Sequence, residues 1–185
     1  AVASEEVVDV FGAAGLKKPD ISILSDAFLE QVKGSPHKNL QLELLRKLIN
    51  DEIHALTRRN VVQARKFSEM LERTILAYTN RSLETAEIIL ALIELAKEMR
   101  DAPRRGDTLG LTDDELAFYD ALSDHGDVKE VMGDKVLAEI AHDLVAAIRR
   151  SVTIDWTQKE AVRANMRRKI KRLLRRHGYP PEKQQ

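Results

Sequence analysis

Residues 153–181, TIDWTQKEAVRANMRRKIKRLLRRHGYPP, give the clearest indication of the fold, because they predict both ends of a helix. Thr157 and Glu160 have the three-residue spacing of a capping box, which predicts the start of a helix. Gly178 and the two prolines after it predict the end of that helix, because glycine can close a helix and proline cannot continue one. On a period of 3.6 residues, five apolar side chains share one face: Val162, Met166, Ile170, Leu173 and Leu174.

The remaining surface of this predicted helix is strongly basic. Between Arg163 and Arg176 there are eight basic residues and no acidic one. Such a density of Lys and Arg favours contact with a polyanion, although a basic face also packs against acidic protein surfaces. The candidate interface with a partner protein or with DNA therefore comprises Arg163, Arg167, Arg168, Lys171, Arg172, Arg175 and Arg176.

Charge is unevenly distributed along the chain, although the formal net charge is zero. Residues 82–148 contain 6 basic and 16 acidic side chains, whereas residues 149–185 contain 12 and 3. The basic end can therefore bind an external polyanion or fold back onto the acidic middle of the same chain. The sequence alone leaves both alternatives open.

Composition and periodicity predict an all-α fold. Hydrophobic residues make up 43% of the chain, charged residues 32% and aromatic residues only 4%, which is typical of a soluble helical protein. The apolar spacing predicts an irregular bundle of about seven to eight helices. The sequence has no apolar run of about 18 residues that could cross a membrane. It also has no cysteine, and we expect a cytoplasmic protein.

We expect a single helical domain over residues 1–185. It divides into a short two-helix unit (1–34), a core of long helices (39–101), a connector (102–111) and C-terminal helices (112–181). Asn60 is expected to end the first long helix, and Gly133 to separate two of the later ones. Thr112 and Glu115 form a second predicted capping box. The chain begins without Met, and we expect it to be a fragment of something longer.

The sequence offers no motif for catalysis. It contains no Gly-Lys pair for a phosphate-binding loop and no Glu-x-Lys of the kind found in metal-dependent nucleases. Without cysteine, and with no histidine beside an obvious nucleophile, covalent catalysis has no candidate residue. We therefore assign no catalytic, cofactor-binding or metal-binding residue.

Two carboxylate–histidine pairs suggest a metal-binding bundle as a minor alternative. Asp51 with His54, and Glu139 with His142, each have the i, i+3 spacing that di-iron bundles use. Such a site needs Glu in both pairs and further inward-facing carboxylates, so the simpler interpretation is that all four are surface residues. The remaining histidines, expected to be solvent-exposed, are His37, His125 and His177.

Five ordered stretches resemble the C-terminal helical region of the restriction (R) subunit of type I restriction–modification enzymes. They are EEVVDVFGAAGLKKPDISILSDAFLEQVKG, KNLQLELLRKLINDEI, RRNVVQARKFSEMLERTILAYTNR, LTDDELAFYDAL and VTIDWTQKEAVRANMRRKIKRLLRRHGYPP. The similarity covers nearly the whole chain in the same order. None of these stretches is a catalytic motif.

The resemblance implies a parent subunit with a Mg²⁺-dependent endonuclease domain and two motor domains that translocate DNA using ATP. It further implies that this helical region is not itself an enzyme and binds neither ATP nor Mg²⁺. Its implied role is to dock the parent onto the core of methyltransferase and specificity subunits, beside the motor domains of its own chain. The alternative is a helical domain that contacts the DNA backbone without reading sequence.

Overall fold

A computed structural model of the chain describes residues 25–34, 36–80, 84–125, 127–151 and 160–180, except for the side chains of 151 and 160–163. These residues form eight α-helices, and no strand occurs among them. In chain order the helices are α1 (Asp26–Gly34), α2 (Lys38–Thr57), α3 (Val61–Thr79), α4 (Thr85–Asp101), α5 (Arg104–Leu109), α6 (Asp113–Ser123), α7 (Val128–Ser151) and α8 (Glu160–Arg176). The predicted all-α fold is confirmed. The predictions for residues 1–24 and for the capping box at Thr157 lie outside the described residues.

The chain divides into two compact units. Unit 1 comprises Ala1–Arg58 and Ala64–Ala102, and unit 2 comprises Arg59–Gln63 and Pro103–Gln185. The first residues of α3 therefore belong to unit 2, and its remaining turns belong to unit 1. The single domain expected over 1–185, with its internal boundaries, stays a prediction.

Unit 1 is organised around α4, which packs against α1 and α2. The sequence predicts a central position for this helix because it is apolar on more than one side. The structure buries most of that surface, although Leu90 remains 46% exposed. Among the described residues, the core of unit 1 includes the buried side chains of Phe28 from α1, Leu48 from α2 and Leu92 from α4.

Unit 2 is built on the pairing of α6 with α7, against which α8 packs. Its core is a second cluster of buried side chains: Leu116, Tyr119, Leu122, Val128, Leu137, Ile140, Ala141 and Leu144. The predicted connector contains the short helix α5, whose Gly106 is buried. A Cβ added at Gly106 would lie 2.9 Å from the carbonyl oxygen of Leu111, so this close backbone approach requires glycine.

Local signals predicted several helix ends, but not the end of α2. Gly133 breaks α7 with φ at 77°, a left-handed conformation that glycine adopts without strain, as the sequence predicts. Asn60, which was expected to end α2, does not do so. That helix ends at Thr57, and the side-chain oxygen of Asn60 instead accepts a hydrogen bond from the N–H of Gln63 at 3.1 Å. Asn60 is thus the N-cap of α3.

Candidate partner-binding surfaces

One side of α8 is fixed to the core of unit 2. Met166 is 9% exposed, and the half-buried side chains of Ile170, Leu173 and Leu174 pack against the unit 2 cluster. These are four of the five residues predicted for the apolar face, and Val162 lies outside the described side chains. The predicted apolar face of α8 is therefore confirmed for these four residues.

The C-terminal end of α8 is closed by the predicted glycine. Gly178 has φ at 70°, its N–H donates to the carbonyl of Arg175, and the N–H of Tyr179 donates to the carbonyl of Leu174 at 2.9 Å. These two bonds form a Schellman motif, which satisfies carbonyls that the helix end would otherwise leave unpaired. The Tyr179 hydroxyl also donates to the carbonyl of Leu122 at 3.0 Å, which ties the end of α8 to α6.

The opposite side of α8 is a ridge of exposed cations, here called the basic strip: Arg168, Lys171, Arg172 and Arg175. Residues three and four apart lie on the same face of a helix, so these four side chains project together, away from the packed face. Arg167 and Arg176 flank the strip and are also exposed. The side chain of Arg163, the seventh candidate, lies outside the described residues.

The described residues do not neutralise the basic strip. No ion pair joins its four side chains to a carboxylate in the part of the chain that the structure describes. The helix does pack on α7, which belongs to the acidic middle segment, but it does so through its apolar face. The polar contact that accompanies this packing is between His177 Nε2 and Asp143 Oδ2, at 3.0 Å.

His177 corrects one expectation from the sequence. Its side chain is 21% exposed and bonded to Asp143, so it is not the solvent-exposed residue that its place at a helix end predicts. The cause is tertiary, because the end of α8 lies against α7. The position of a residue at the end of a helix does not indicate which neighbouring helix will cover it.

Unit 2 also carries an apolar groove of about 540 Å³, which the sequence did not predict. Its lining comes from the start of α3, from α6 and from α7: Arg59, Val61, Val62, Asp114, Ala117, Phe118, Ala121, Val145, Ile148 and Arg149. Val61 is 66% exposed and forms part of this apolar lining together with Val62 and Phe118. At the rim, Arg149 Nη2 donates to Asp114 Oδ2 at 3.0 Å.

A buried polar network holds α3 to α6 within unit 2. Asp120 is only 3% exposed, and its Oδ2 accepts a hydrogen bond of 2.6 Å from the side-chain amide of Asn60. Arg105 Nη2 donates to both carboxylate oxygens at 3.1 Å. The carboxylate therefore positions the capping residue of α3, and with it the wall of the apolar groove that Val61 and Val62 provide.

The predicted capping box at the start of α6 is present. The N–H and the hydroxyl of Thr112 both donate to Glu115 Oε2, at 2.8 and 2.9 Å. His142 Nδ1 lies 2.7 Å from Glu115 Oε1. The hydrogen bond from the Thr112 backbone holds the pKa of Glu115 below its ordinary value against the opposing effect of burial, and contacts with the Thr112 hydroxyl and His142 contribute in the same direction.

Comparison with known proteins identifies the family to which this chain belongs. Residues 1–185 match the family described as type I restriction enzyme HindI endonuclease subunit-like, C-terminal. The chain is a member of this family. It is 39% identical over 184 residues to the type I restriction enzyme HindI endonuclease subunit of Haemophilus influenzae, covering 100% of this chain and 17% of that protein.

A second restriction subunit is also similar to this chain. The chain is 36% identical over 182 residues to the putative type I restriction enzyme MjaIXP endonuclease subunit of Methanocaldococcus jannaschii, covering 96% of this chain and 17% of that protein. The chain thus spans about one sixth of the length of both restriction subunits. No solved structure matches it significantly. The resemblance to the C-terminal region of type I restriction subunits is confirmed.

The carboxylate–histidine pairs do not assemble a metal centre in the described part of this restriction-subunit region. No group of three or more His, Asp or Glu side chains among those residues could hold a metal ion. Asp51 and His54 belong to unit 1, whereas Glu139 and His142 belong to unit 2. His142 pairs with Glu115, which the i, i+3 spacing did not indicate. None of the helices in the described ranges is long and apolar enough to cross a membrane.

Proposed function

We propose that this chain is a non-catalytic helical assembly domain that docks the endonuclease and translocase parts of a type I restriction subunit onto a methyltransferase–specificity core. The steps that need ATP and Mg²⁺ then take place elsewhere in the parent subunit. Membership of the C-terminal family supports the general assignment. The observation that carries the docking role is the apolar groove of unit 2, which leaves Val61 largely exposed.

The shape and chemistry of the groove fit an amphipathic helix from a partner subunit. Ala117 and Ala121 on α6 are small and leave room above the helix, while Phe118 and Ile148 provide apolar walls. In helix-in-groove recognition, the bound helix places apolar side chains at positions i, i+3 or i+4 into a hydrophobic groove. We expect the partner's helix to bind this groove in the same way. Arg59 is exposed at the rim, so a carboxylate beside the partner's apolar face would complement it.

The test compares two valines of nearly equal exposure. Val61 lies in the groove and is 66% exposed, whereas Val131 on α7 is 64% exposed and does not line the groove. Val61→Glu places a carboxylate in the first turn of α3, where the helix dipole favours it, so this variant is expected to fold. Val131→Glu makes the same chemical change elsewhere on unit 2 and serves as the matched control.

Binding is measured by biolayer interferometry between the immobilised chain and a purified methyltransferase–specificity complex. We expect Val61→Glu to weaken binding by about 10- to 100-fold, the equivalent of about 1.5–3 kcal/mol for one buried aliphatic side chain. Val131→Glu is expected to bind like the unmodified chain. Absence of binding by the unmodified chain at both low and moderate salt would refute the docking role, and equal binding by the two variants would refute the groove as its site.

A further inference from the structure

The apolar groove of unit 2 extends along α6, from Asp114 in the first turn of that helix to Ala121 near its end. These two residues are seven positions apart, which is about 10 Å along an α-helix. The groove therefore accommodates about two turns of a partner helix that lies along α6. Its two ends are identified by the hydrogen bonds that connect α6 to α7 and to the start of α3.

At the first end, the charges of the groove lining are already paired with each other. Arg149 Nη2, in the last turn of α7, donates to Asp114 Oδ2 at 3.0 Å. Both side chains are exposed, so their ion pair contributes little to stability. It nevertheless leaves this end of the lining without a net charge, and an ionic group on a partner helix would gain little by lying beside it.

At the other end, the groove lining contributes a cation. Arg59 comes directly before Asn60, whose side-chain amide donates to Asp120 Oδ2 at 2.6 Å. Because Asp120 is next to Ala121 in the chain, Arg59 lies at the Ala121 end of the groove. Arg59 is exposed, and no ion pair joins it to a carboxylate within the described ranges. Helix α3 begins at Val61, so the partial positive charge of its N-terminus lies at the same end.

We propose that the groove binds a partner helix in one direction, with an acidic C-terminal turn at the Arg59 end. Such an orientation rests on the proposed docking function and specifies the charge and the direction of the segment that docks. A helix carries a partial negative charge at its C-terminus. Arg59 and the start of α3 attract both that charge and the carboxylates of acidic side chains in the last turn. A reversed helix would place its partial positive charge there, so we expect it to bind more weakly.

The experiment uses three synthetic peptides of about 15 residues, each held helical by a hydrocarbon staple because free helices of this length are marginal in water. All three have blocked termini and carry leucine at the same i, i+3, i+4 and i+7 positions. The first peptide has two glutamates in its last turn, the second has them in its first turn, and the third has two lysines in its last turn. Their affinities for the 185-residue chain are measured by fluorescence anisotropy.

We expect the first peptide to bind about 2- to 5-fold more tightly than the second, because in either direction the second lacks one of the two attractions. The first is also expected to bind at least about 5-fold more tightly than the third, whose lysines repel Arg59. Arg59→Glu is expected to reverse this preference for glutamate over lysine. Arg46→Glu is the matched control, because Arg46 is exposed and does not line the groove, and it is expected to leave both ratios unchanged.

The direction of binding is measured by methyl NMR with a nitroxide on the first peptide. With the nitroxide at the C-terminal end of the peptide, we expect paramagnetic broadening of the methyl signals of Val61 and Val62, which line the groove beside Arg59. With the nitroxide at the N-terminal end, we expect broadening of Ile148, which lines the groove beside Arg149.

Four results would overturn the proposal: absence of binding by all three peptides, equal affinities of the first and second peptides, an unchanged charge preference in Arg59→Glu, or broadening of Ile148 by the nitroxide at the C-terminal end. The docking role is tested separately, with the methyltransferase–specificity complex. If that complex binds and the peptides show no preference for charge or direction, docking stands and the orientation is refuted. If the complex does not bind and the peptides behave as expected, the orientation stands and docking onto that complex is refuted.

Discussion

Replacing Asp120 tests whether a buried carboxylate holds unit 2 together. Asp120→Asn removes the charge to which the Asn60 amide donates at 2.6 Å and Arg105 donates at 3.1 Å. A hydrogen bond to a buried charged group contributes about 1.5–3 kcal/mol. The Arg105 side chain is 45% exposed, so solvent limits its contribution to about 1 kcal/mol or less. We therefore expect the free energy of unfolding to fall by about 2–4 kcal/mol.

Unfolding is measured by circular dichroism in a urea titration and in a thermal scan. For a chain of this size, a loss of 1 kcal/mol lowers Tm by about 2–4 °C, so the expected fall for Asp120→Asn is about 4–16 °C. Asp51→Asn is the matched control, because Asp51 is exposed on α2 and loses no such bond. A cost for Asp120→Asn within about 0.5 kcal/mol of that control would refute the reasoning.

A double-mutant cycle then measures the interaction energy between Asn60 and Asp120. Asn60→Ala and Asp120→Ala remove the two partners separately and together, and residues in direct contact show coupling energies of about 0.5–3 kcal/mol. Asn60 also caps α3 through the N–H of Gln63, so its own substitution carries an additional cost of about 1 kcal/mol. Strict additivity of the two substitutions would show that the 2.6 Å contact contributes nothing to stability.

Two further predictions concern helix ends. Because folding depresses the pKa of Glu115, its stabilising effect is present above the pKa of the unfolded carboxyl and is lost as pH falls through the folded-state pKa. Glu115→Gln is therefore expected to lower stability by about 1 kcal/mol at pH 7. In urea titrations at several pH values, the difference is expected to narrow as pH falls below the ordinary glutamate pKa of about 4.3. Gly178→Ala is expected to cost about 1 kcal/mol because φ at 70° strains a residue with a Cβ, whereas Gly34→Ala, equally free of contacts but without a positive φ, is expected to be neutral or slightly stabilising, and equal Tm values for the two variants would contradict this explanation.

The features that could be predicted from sequence are those with a local physical cause. The capping box at Thr112 needs residues three apart, and the ends marked by Gly133 and Gly178 need only a glycine that adopts a positive φ. The apolar face of α8 follows from helical spacing alone. The all-α fold follows from the same kind of information repeated along the chain.

The features that could not be predicted join residues far apart in sequence. Asn60 has a residue type that suits either end of a helix, and no local pattern reveals that its side-chain amide bonds to Asp120, sixty residues later. His177 is covered by Asp143, thirty-four residues earlier. The apolar groove combines the start of α3 with parts of α6 and α7, and no periodicity in one helix reveals a space between three.

The exposure of like charges along α8 has a consequence for the stability of this helix on its own. Arg168 and Arg172, and Lys171 and Arg175, are four residues apart, and each such pair of like charges opposes helix formation by a few tenths of a kcal/mol. A peptide of this length and charge is a poor helix in water. We therefore expect α8 to depend on the core that Ile170 and Leu173 cover, and to form together with the rest of unit 2 and not as an isolated peptide.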